Sequence, residues 1–162
     1  MNKVGIITFH GAHNYGSALQ VYALQKVITD KLYYPCEIID FRTEAQKDQY
    51  RPLTKRKGVK YFLKNLYFLL YYTERKKKYD LFEEFISEYL KLSDVQYDTE
   101  EKLERSDLSY SHYISGSDQI WNTVPNDASM MYFLPFVKKG KKIAYAPSFG
   151  QLGNIKYKDQ II

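Results

Sequence analysis

The first segment whose residue types could carry chemistry is a polar stretch near the N-terminus that contains two histidines. His10 and His13 have side chains that titrate near neutral pH, so either could act as a general acid or base. No Cys or acidic residue lies beside them in the sequence to complete a set of metal ligands. We therefore interpret them as weaker candidates for acid–base catalysis, without a metal.

The residues after the histidines lead into a helical pattern and form a candidate binding loop. Backbone N–H groups and the dipole at a helix start favour a phosphate or carboxylate, and glycine permits the close approach of a ligand. The loop lacks the GxGxxG spacing of dinucleotide sites. The alternative is an ordinary turn in which Ser17 caps the helix. The candidate binding residues are Asn14, Tyr15, Gly16 and Ser17.

A second segment, residues 115–122, combines a carboxylate, two amides and an indole. Asp118 could orient or deprotonate a sugar hydroxyl, and Trp121 could stack on a pyranose ring. The alternative is that Trp121 anchors the loop while Asp118 caps a following turn, and the residue types leave both open. Further candidate binding residues in this segment are Gly116, Ser117, Gln119 and Asn122. A third segment, residues 146–150, adds Ser148.

A parallel sheet is the element expected to position these segments. Residues 4–8 are a nearly continuous apolar run, typical of a strand that is buried on both faces. Residues 18–32 have apolar side chains at three- and four-residue spacing, which predicts a helix of about four turns. Residues 36–41 predict a second strand. This βαβ unit indicates an α/β fold with a Rossmann-like parallel sheet flanked by helices.

Two later strands are predicted at residues 112–115 and 142–146. Ligands bind beyond the carboxyl ends of the strands in open parallel sheets, which is where all three candidate segments fall. The last residues, 157–162, resemble the beginning of another helix with no stop signal, so we expect the protein to continue beyond them.

The middle of the chain, residues 42–92, is interpreted as a linker followed by a helical insertion. Residues 42–58 are polar and contain Pro and Gly, which predicts a loop. Residues 59–72 and 79–90 each have a helical pattern of apolar and aromatic side chains. The basic residues 75–78 lie between these two predicted helices.

Positive charge is concentrated in the middle of the chain. Residues 51–78 carry a net charge of +9, whereas the whole chain carries +5. The remainder is therefore acidic, which argues against a general nucleic-acid binder. The apolar stretch is too short for a membrane span, but residues 55–78 could lie on an anionic membrane surface. The alternative is a core or dimer-forming helix beside a solvated run of charges.

The single cysteine gives a prediction about the compartment. Cys36 cannot form an internal disulfide, and its apolar surroundings predict a buried thiol. The N-terminal apolar run is interrupted too early for a signal peptide. Both features indicate the cytoplasm.

Three motifs resemble those of the polysaccharide pyruvyl transferase family, in the expected order. They are NYGSALQVYALQ at residues 14–25, GSDQIWN at residues 116–122 and IAYAPSFG at residues 143–150. The resemblance implies that residues 1–162 form the N-terminal half of a two-domain fold similar to GT-B glycosyltransferases. It also implies transfer of a pyruvyl group from phosphoenolpyruvate to sugar hydroxyls as a ketal, without a cofactor.

The resemblance further implies that much of the phosphoenolpyruvate site, including an Arg and a His, lies in a C-terminal domain outside this chain. We therefore expect the chain to be inactive by itself. Our hypothesis is that Asp118 acts on the acceptor hydroxyl while residues 14–17 line the cleft between the domains. The acceptor would be a saccharide. It could be linked to a lipid, and the protein would then bind it at the inner face of the membrane. The alternatives are a nucleotide-sugar glycosyltransferase and a noncatalytic saccharide- or membrane-binding module.

Overall fold

Four parallel strands form the sheet at the centre of the molecule. A computed structural model of the chain describes residues 2–123 and 128–150. The strand order is β2-β1-β3-β4, and every pairing is parallel. The chain at Leu92 also forms a parallel bridge with Ile38, beyond the outer edge of β2. The strands are β1 (Val4–Ile7), β2 (Cys36–Ile38), β3 (His112–Asp118) and β4 (Lys141–Pro147).

The predicted α/β architecture is therefore confirmed. The sheet is parallel because a helix, α1 (Tyr15–Lys26), returns the chain from the end of β1 to the start of β2. A π-helical turn, Val27–Lys31, continues this helix. The chain then crosses to the other side of β1 to form β3, so the strand order reverses between β1 and β3. That reversal makes the carboxyl ends of β1 and β3 the expected ligand-binding edge.

Both faces of the central strand are buried, as its continuous apolar sequence predicts. One face packs Ile6 with Val21 and Ile28 from the α1 side. The other face packs Ile7 with Tyr113 and Leu103, none of which is more than 2% exposed. Cys36 also lies in the core, and burial raises the pKa of its thiol to about 12. The prediction of a buried thiol is confirmed.

The middle of the chain differs from the prediction in two respects. Residues 42–58 are not a plain loop, because they contain the helix α2 (Glu44–Tyr50). The helix forms because Thr43 and Gln46 make a reciprocal capping box, in which each side chain accepts a hydrogen bond from the other residue's backbone N–H group. The basic residues 75–78 do not separate two helices, since they lie inside α4 (Tyr72–Tyr89).

The two long helices of this region have different environments. The C-terminal half of α4 packs Ile86 into the core on the same face of the sheet as α1. The helix before it, α3 (Val59–Leu69), has no buried residue at all. The interpretation of residues 59–72 as a core helix is therefore wrong, while a dimer or a membrane contact stays open.

The later elements follow the prediction with longer strands. Thr99 caps the short helix α5 (Glu100–Glu104), because its side chain accepts a hydrogen bond from the Lys102 N–H group. β3 extends past the predicted end at residue 115 to Asp118, so the candidate segment at 116–118 belongs to a strand and not to a loop. The helical start predicted at residues 157–162 lies outside the described residues.

Candidate functional site

The carboxyl ends of β1 and β3 are joined by a closed set of side-chain hydrogen bonds. The Thr8 hydroxyl donates to the Ser117 carbonyl at 2.9 Å, and Gln20 Nε2 donates to Thr8 Oγ1 at 3.2 Å. The Ser117 N–H group donates back to Gln20 Oε1 at 3.2 Å. These bonds fix the end of β3 against the first turns of α1. The structure thus brings together the first two candidate segments, as the parallel sheet predicts.

Asp118 is the carboxylate held at this edge of the sheet. The Ser17 hydroxyl donates to Asp118 Oδ2 at 2.5 Å, and the Gln119 N–H group donates to Asp118 Oδ1 at 2.7 Å. Each carboxylate oxygen still has a second lone-pair site for a substrate hydroxyl. Asp118 is partly exposed and has a φ of 101°, a backbone angle that residues other than glycine rarely adopt. Such backbone strain is concentrated at functional sites.

The third candidate segment touches the same residue through its backbone. The Ser148 N–H group donates to the Asp118 carbonyl at 2.9 Å, and the Ser148 carbonyl accepts from the Trp121 N–H group at 3.2 Å. Gln119 and Ser148 are exposed at this edge, and Asn122 is half-buried beside them. All three segments therefore meet around Asp118.

The helix start after β1 is capped by Asn14, and the expectation that Ser17 is the cap is wrong. Asn14 Oδ1 accepts hydrogen bonds from the backbone N–H groups of Gly16 at 2.8 Å and Ser17 at 3.2 Å. The Ser17 side chain does not cap the helix, because its hydroxyl donates to Asp118 instead. An anion at this helix start would have to displace the Asn14 side chain. Tyr15, in contrast, is 74% exposed beside the loop.

Replacing Gly116 by Ala should distort this site. Gly116 has a φ of 128°, and an added Cβ would lie 2.0 Å from the Tyr145 carbonyl oxygen in β4. We expect the free energy of unfolding, measured in urea, to fall by about 2 kcal/mol or more. Gly16→Ala is the matched control, because its Cβ meets only Asn14 Oδ1, at 3.1 Å. A control variant as unstable as Gly116→Ala would contradict this assignment.

Trp121 is engaged by the protein itself. Its indole stacks on Phe133 with ring centroids 5.2 Å apart and planes 15° apart, and Phe149 lies 5.5 Å away. Its Nε1–H group donates to the Tyr132 carbonyl at 3.3 Å. These contacts favour the interpretation of Trp121 as an anchor for the loop over a free stacking platform for a sugar.

His10 and His13 lie in the loop after β1, and both of their side chains are buried there. His10 is fully buried, and its Nε2 lies 2.9 Å from Asp40 Oδ1. His13 is 8% exposed, and its Nε2 lies 3.0 Å from Glu83 Oε1. Among the described residues, no group of three or more His, Cys, Asp and Glu side chains is arranged to hold a metal ion.

An arginine connects the partners of the two histidines. Arg42 donates to Asp40 at 2.8 Å through Nε and to Glu83 at 3.2 Å through Nη1. Burial alone would raise the pKa of Asp40, but the hydrogen bonds from His10, Arg42 and Gln96 outweigh burial and hold this pKa well below its usual range. The hydrogen bond from His13 likewise lowers the pKa of Glu83, and Arg42 adds to the effect. Both carboxylates are therefore ionised at neutral pH.

Beside this network lies a cavity that the sequence did not indicate. It has a volume of about 220 Å³ and opens between the loop after β1, α2 and α4. We call it the aromatic cavity, because its walls include the side chains of Phe9, His13, Phe41, Tyr50, Tyr79 and Tyr132. Its polar groups include Arg42 and Glu83. The sequence contained one sign of this site. Asp40 and Arg42 come just after β2, so they lie at the same edge of the sheet as the other candidate segments.

A comparison with known families agrees with the three motifs. The family model described as Polysaccharide pyruvyl transferase matches residues 14–161, which include all of α1, β3 and β4. No curated protein sequence and no solved structure matches the chain significantly. The match covers nearly the whole chain and includes every residue that contacts Asp118. The chain therefore belongs to the polysaccharide pyruvyl transferase family.

Proposed function

We propose that this chain forms the acceptor-binding side of an enzyme that transfers a pyruvyl group from phosphoenolpyruvate to a saccharide. The family implies a polysaccharide acceptor. The observation that carries the proposal is the Asp118 carboxylate, which is held by Ser17 at the reversal point of the sheet and is partly open to solvent. A carboxylate in that position can accept the proton of a sugar hydroxyl as the hydroxyl attacks.

The proposed reaction forms a ketal and releases phosphate. Two sugar hydroxyl oxygens form bonds to the central carbon of phosphoenolpyruvate, and the bond from that carbon to the phosphate oxygen breaks. One hydroxyl proton ends on the methylene carbon, which becomes a methyl group, and the other leaves with phosphate. In this proposal Asp118 is the general base that removes a proton from a sugar hydroxyl.

The donor side is assigned to a second domain, following the family resemblance. An Arg and a His of that domain would hold phosphoenolpyruvate across a cleft from the Asp118 edge, in an arrangement similar to GT-B enzymes. If the anionic donor binds to the second domain, the helix start at residues 14–17 does not need to bind an anion. Its N–H groups can then be capped by Asn14. The chain alone is expected to bind acceptor without turnover, in the cytoplasm at the inner face of the membrane.

Product analysis separates this proposal from a nucleotide-sugar glycosyltransferase. The complete protein that contains this chain would be incubated with an oligosaccharide and either phosphoenolpyruvate or a nucleotide sugar. Mass spectrometry of the acceptor should show a pyruvyl ketal in the first reaction and no added sugar in the second. Added sugar would support the glycosyltransferase, and saccharide binding without either product would support a noncatalytic module.

A second function, contact with an anionic membrane, is favoured by the environment of α3. The residues of α3 that face the rest of the protein are the half-buried Tyr61, Asn65 and Phe68, which recur at helical spacing. Asn65 exchanges two hydrogen bonds of 2.9 Å with the Thr54 backbone. The opposite face is apolar and points outward, with Phe62 69% exposed. Its other members are Leu63, Leu66, Leu69 and Leu70.

Charge favours a lipid surface over a second copy of the chain as the cover for this face. Lys60 and Lys64 are one helical turn apart on α3, and Lys64 Nζ lies 5.1 Å from the centre of the Phe68 ring. Within residues 2–123 and 128–150, neither of these lysines forms an ion pair. Two copies meeting through α3 would bring segments of net charge +9 together, whereas anionic lipid would compensate that charge. Among the described helices, none is both long and apolar enough to cross a membrane.

Vesicle sedimentation tests this contact. We expect the chain to bind vesicles that contain phosphatidylserine at low salt and to be released at high salt. Replacing Phe62 and Leu66 together by Ser should lower the affinity at least about tenfold, because both side chains lose their burial in lipid. Val95→Ser is the matched control, since Val95 is 57% exposed outside this segment. No binding to anionic vesicles, or a dimer that the double variant abolishes, would overturn the proposal.

A further inference from the structure

We propose that the aromatic cavity is a subsite for one neutral sugar ring of the acceptor. This inference rests on the proposed function only in taking the acceptor to be a saccharide. Asp118 does not line the cavity, but Thr8 connects the two places. Thr8 lines the cavity, while its hydroxyl donates to the Ser117 carbonyl at 2.9 Å.

The shape and the walls of the cavity fit a single pyranose. Its volume of about 220 Å³ equals roughly seven water molecules at about 30 Å³ each. That is below the range of about 300–1,000 Å³ for drug-sized ligands, so the cavity can enclose one sugar ring but not a whole nucleotide sugar. Aromatic side chains provide flat apolar walls against which the C–H faces of a sugar can pack. Tyr79 is one of these walls, and burial raises the pKa of its hydroxyl, which stays protonated.

The aromatic walls are also packed against one another. The His13 imidazole stacks with Tyr50 at 4.9 Å and with Phe82 at 5.1 Å, and Tyr79 packs against the same imidazole at 4.9 Å. The hydrogen bond from His13 to Glu83 fixes the imidazole within this stack. Binding would therefore require little ordering of the site, which is a condition for useful affinity with a small ligand.

The charges of the cavity favour a neutral ligand over an anion. The Arg42 guanidinium already donates to two internal carboxylates, those of Asp40 and Glu83. Phosphate or phosphoenolpyruvate would have to compete with both of them for the same cation. The hydroxyl groups of a neutral sugar need no such exchange, because they can donate to remaining lone pairs of Glu83 and accept from Lys47 at the rim. The Lys47 side chain is 20% exposed, and its Nζ donates a hydrogen bond to Gln96 Oε1 at 2.7 Å.

This subsite gives the acceptor a second point of attachment. A polysaccharide that places one ring in the aromatic cavity would present a neighbouring ring to Asp118 across the shared β1 loop. The subsite would then select the sequence of sugars without taking part in bond formation. Tyr79 and Lys47 are accordingly assigned to acceptor binding and not to catalysis.

Ligand-observed NMR with the 162-residue chain tests the inference. The probes are the methyl glycosides of glucose, galactose and mannose, with uridine and phosphoenolpyruvate as competing ligand classes. At least one methyl glycoside should bind saturably, and Tyr79→Ala should weaken that binding by about tenfold or more. Lys47→Ala is a milder second variant, for which we expect a loss of a few fold. Tyr33→Ala is the control, because Tyr33 is 83% exposed and lies outside the cavity.

The outcomes separate this inference from the proposed function. Glycoside binding that Tyr79→Ala and Lys47→Ala leave unchanged, stronger binding of uridine or phosphoenolpyruvate, or no glycoside binding would overturn the subsite. Asp107→Asn, which removes an exposed carboxylate outside both places, should leave glycoside binding in the cavity intact. If the glycoside binds as expected but the complete protein forms no ketal, the proposed reaction fails and the subsite stands.

Discussion

Replacing Asp118 by Asn should lower the turnover number for pyruvyl transfer in the complete protein by at least about 100-fold. The amide keeps the shape of the side chain, but it cannot take a proton from the acceptor hydroxyl. The loss should appear in kcat and not in the acceptor KM, because the aromatic cavity is untouched. Steady-state measurement of phosphate release from phosphoenolpyruvate provides both constants.

Two further variants make this result specific. Asp107→Asn should be fully active, because Asp107 is an exposed carboxylate outside the site. Ser17→Ala should cause a smaller loss of about tenfold, since it removes the 2.5 Å hydrogen bond that orients Asp118 but leaves the carboxylate. An Asp118→Asn enzyme with unchanged turnover would show that another residue is the base.

Replacing Arg42 by Met should lower the free energy of unfolding by about 3–5 kcal/mol. The side chain of Arg42 is only 16% exposed and is the cation between Asp40 and Glu83. Because the pKa values of both carboxyls are held low, both are ionised at neutral pH, and the variant would leave two like charges close together without their shared cation. This is the largest effect on stability that we expect from a single polar side chain of the site.

Urea denaturation at several pH values tests this expectation. Lys26→Met is the control: Lys26 pairs with Asp30 at 3.5 Å with both side chains about half exposed, so its loss should cost less than about 1 kcal/mol. A depressed pKa in the folded state adds stability above the unfolded value of about 4, and that stability is lost as the pH falls further. The difference between wild type and Arg42→Met should therefore shrink in acid. Equal costs for both variants at neutral pH would contradict the assignment.

The parts of the fold that follow from local pattern could be predicted from the sequence. The apolar run of β1 and the three- and four-residue spacing of α1 each identify one element, and their order implies a parallel pair. The rule that ligands bind beyond parallel strands then brings Ser17 and Asp118 to one edge, although 101 residues separate them. The capping box of Thr43 and Gln46 was also readable, and it would have identified α2.

The surroundings of the histidines could not be predicted in the same way. His13 meets Glu83 across 70 residues, and the contact depends on how α4 packs beside the β1 loop. No periodicity in the sequence encodes that packing, so an exposed and a buried imidazole look alike. The direction of the apolar face of α3 could not be predicted either. The spacing of apolar residues shows that such a face exists, but not whether it points inward or outward.

The reaction itself is tested most directly by following phosphate release from phosphoenolpyruvate, with and without a saccharide acceptor, in the complete protein. We expect release that depends on the acceptor, is matched mole for mole by ketal on the sugar, and is lost in Asp118→Asn. Phosphoenolpyruvate that stays intact while a nucleotide sugar is consumed would contradict pyruvyl transfer as the activity.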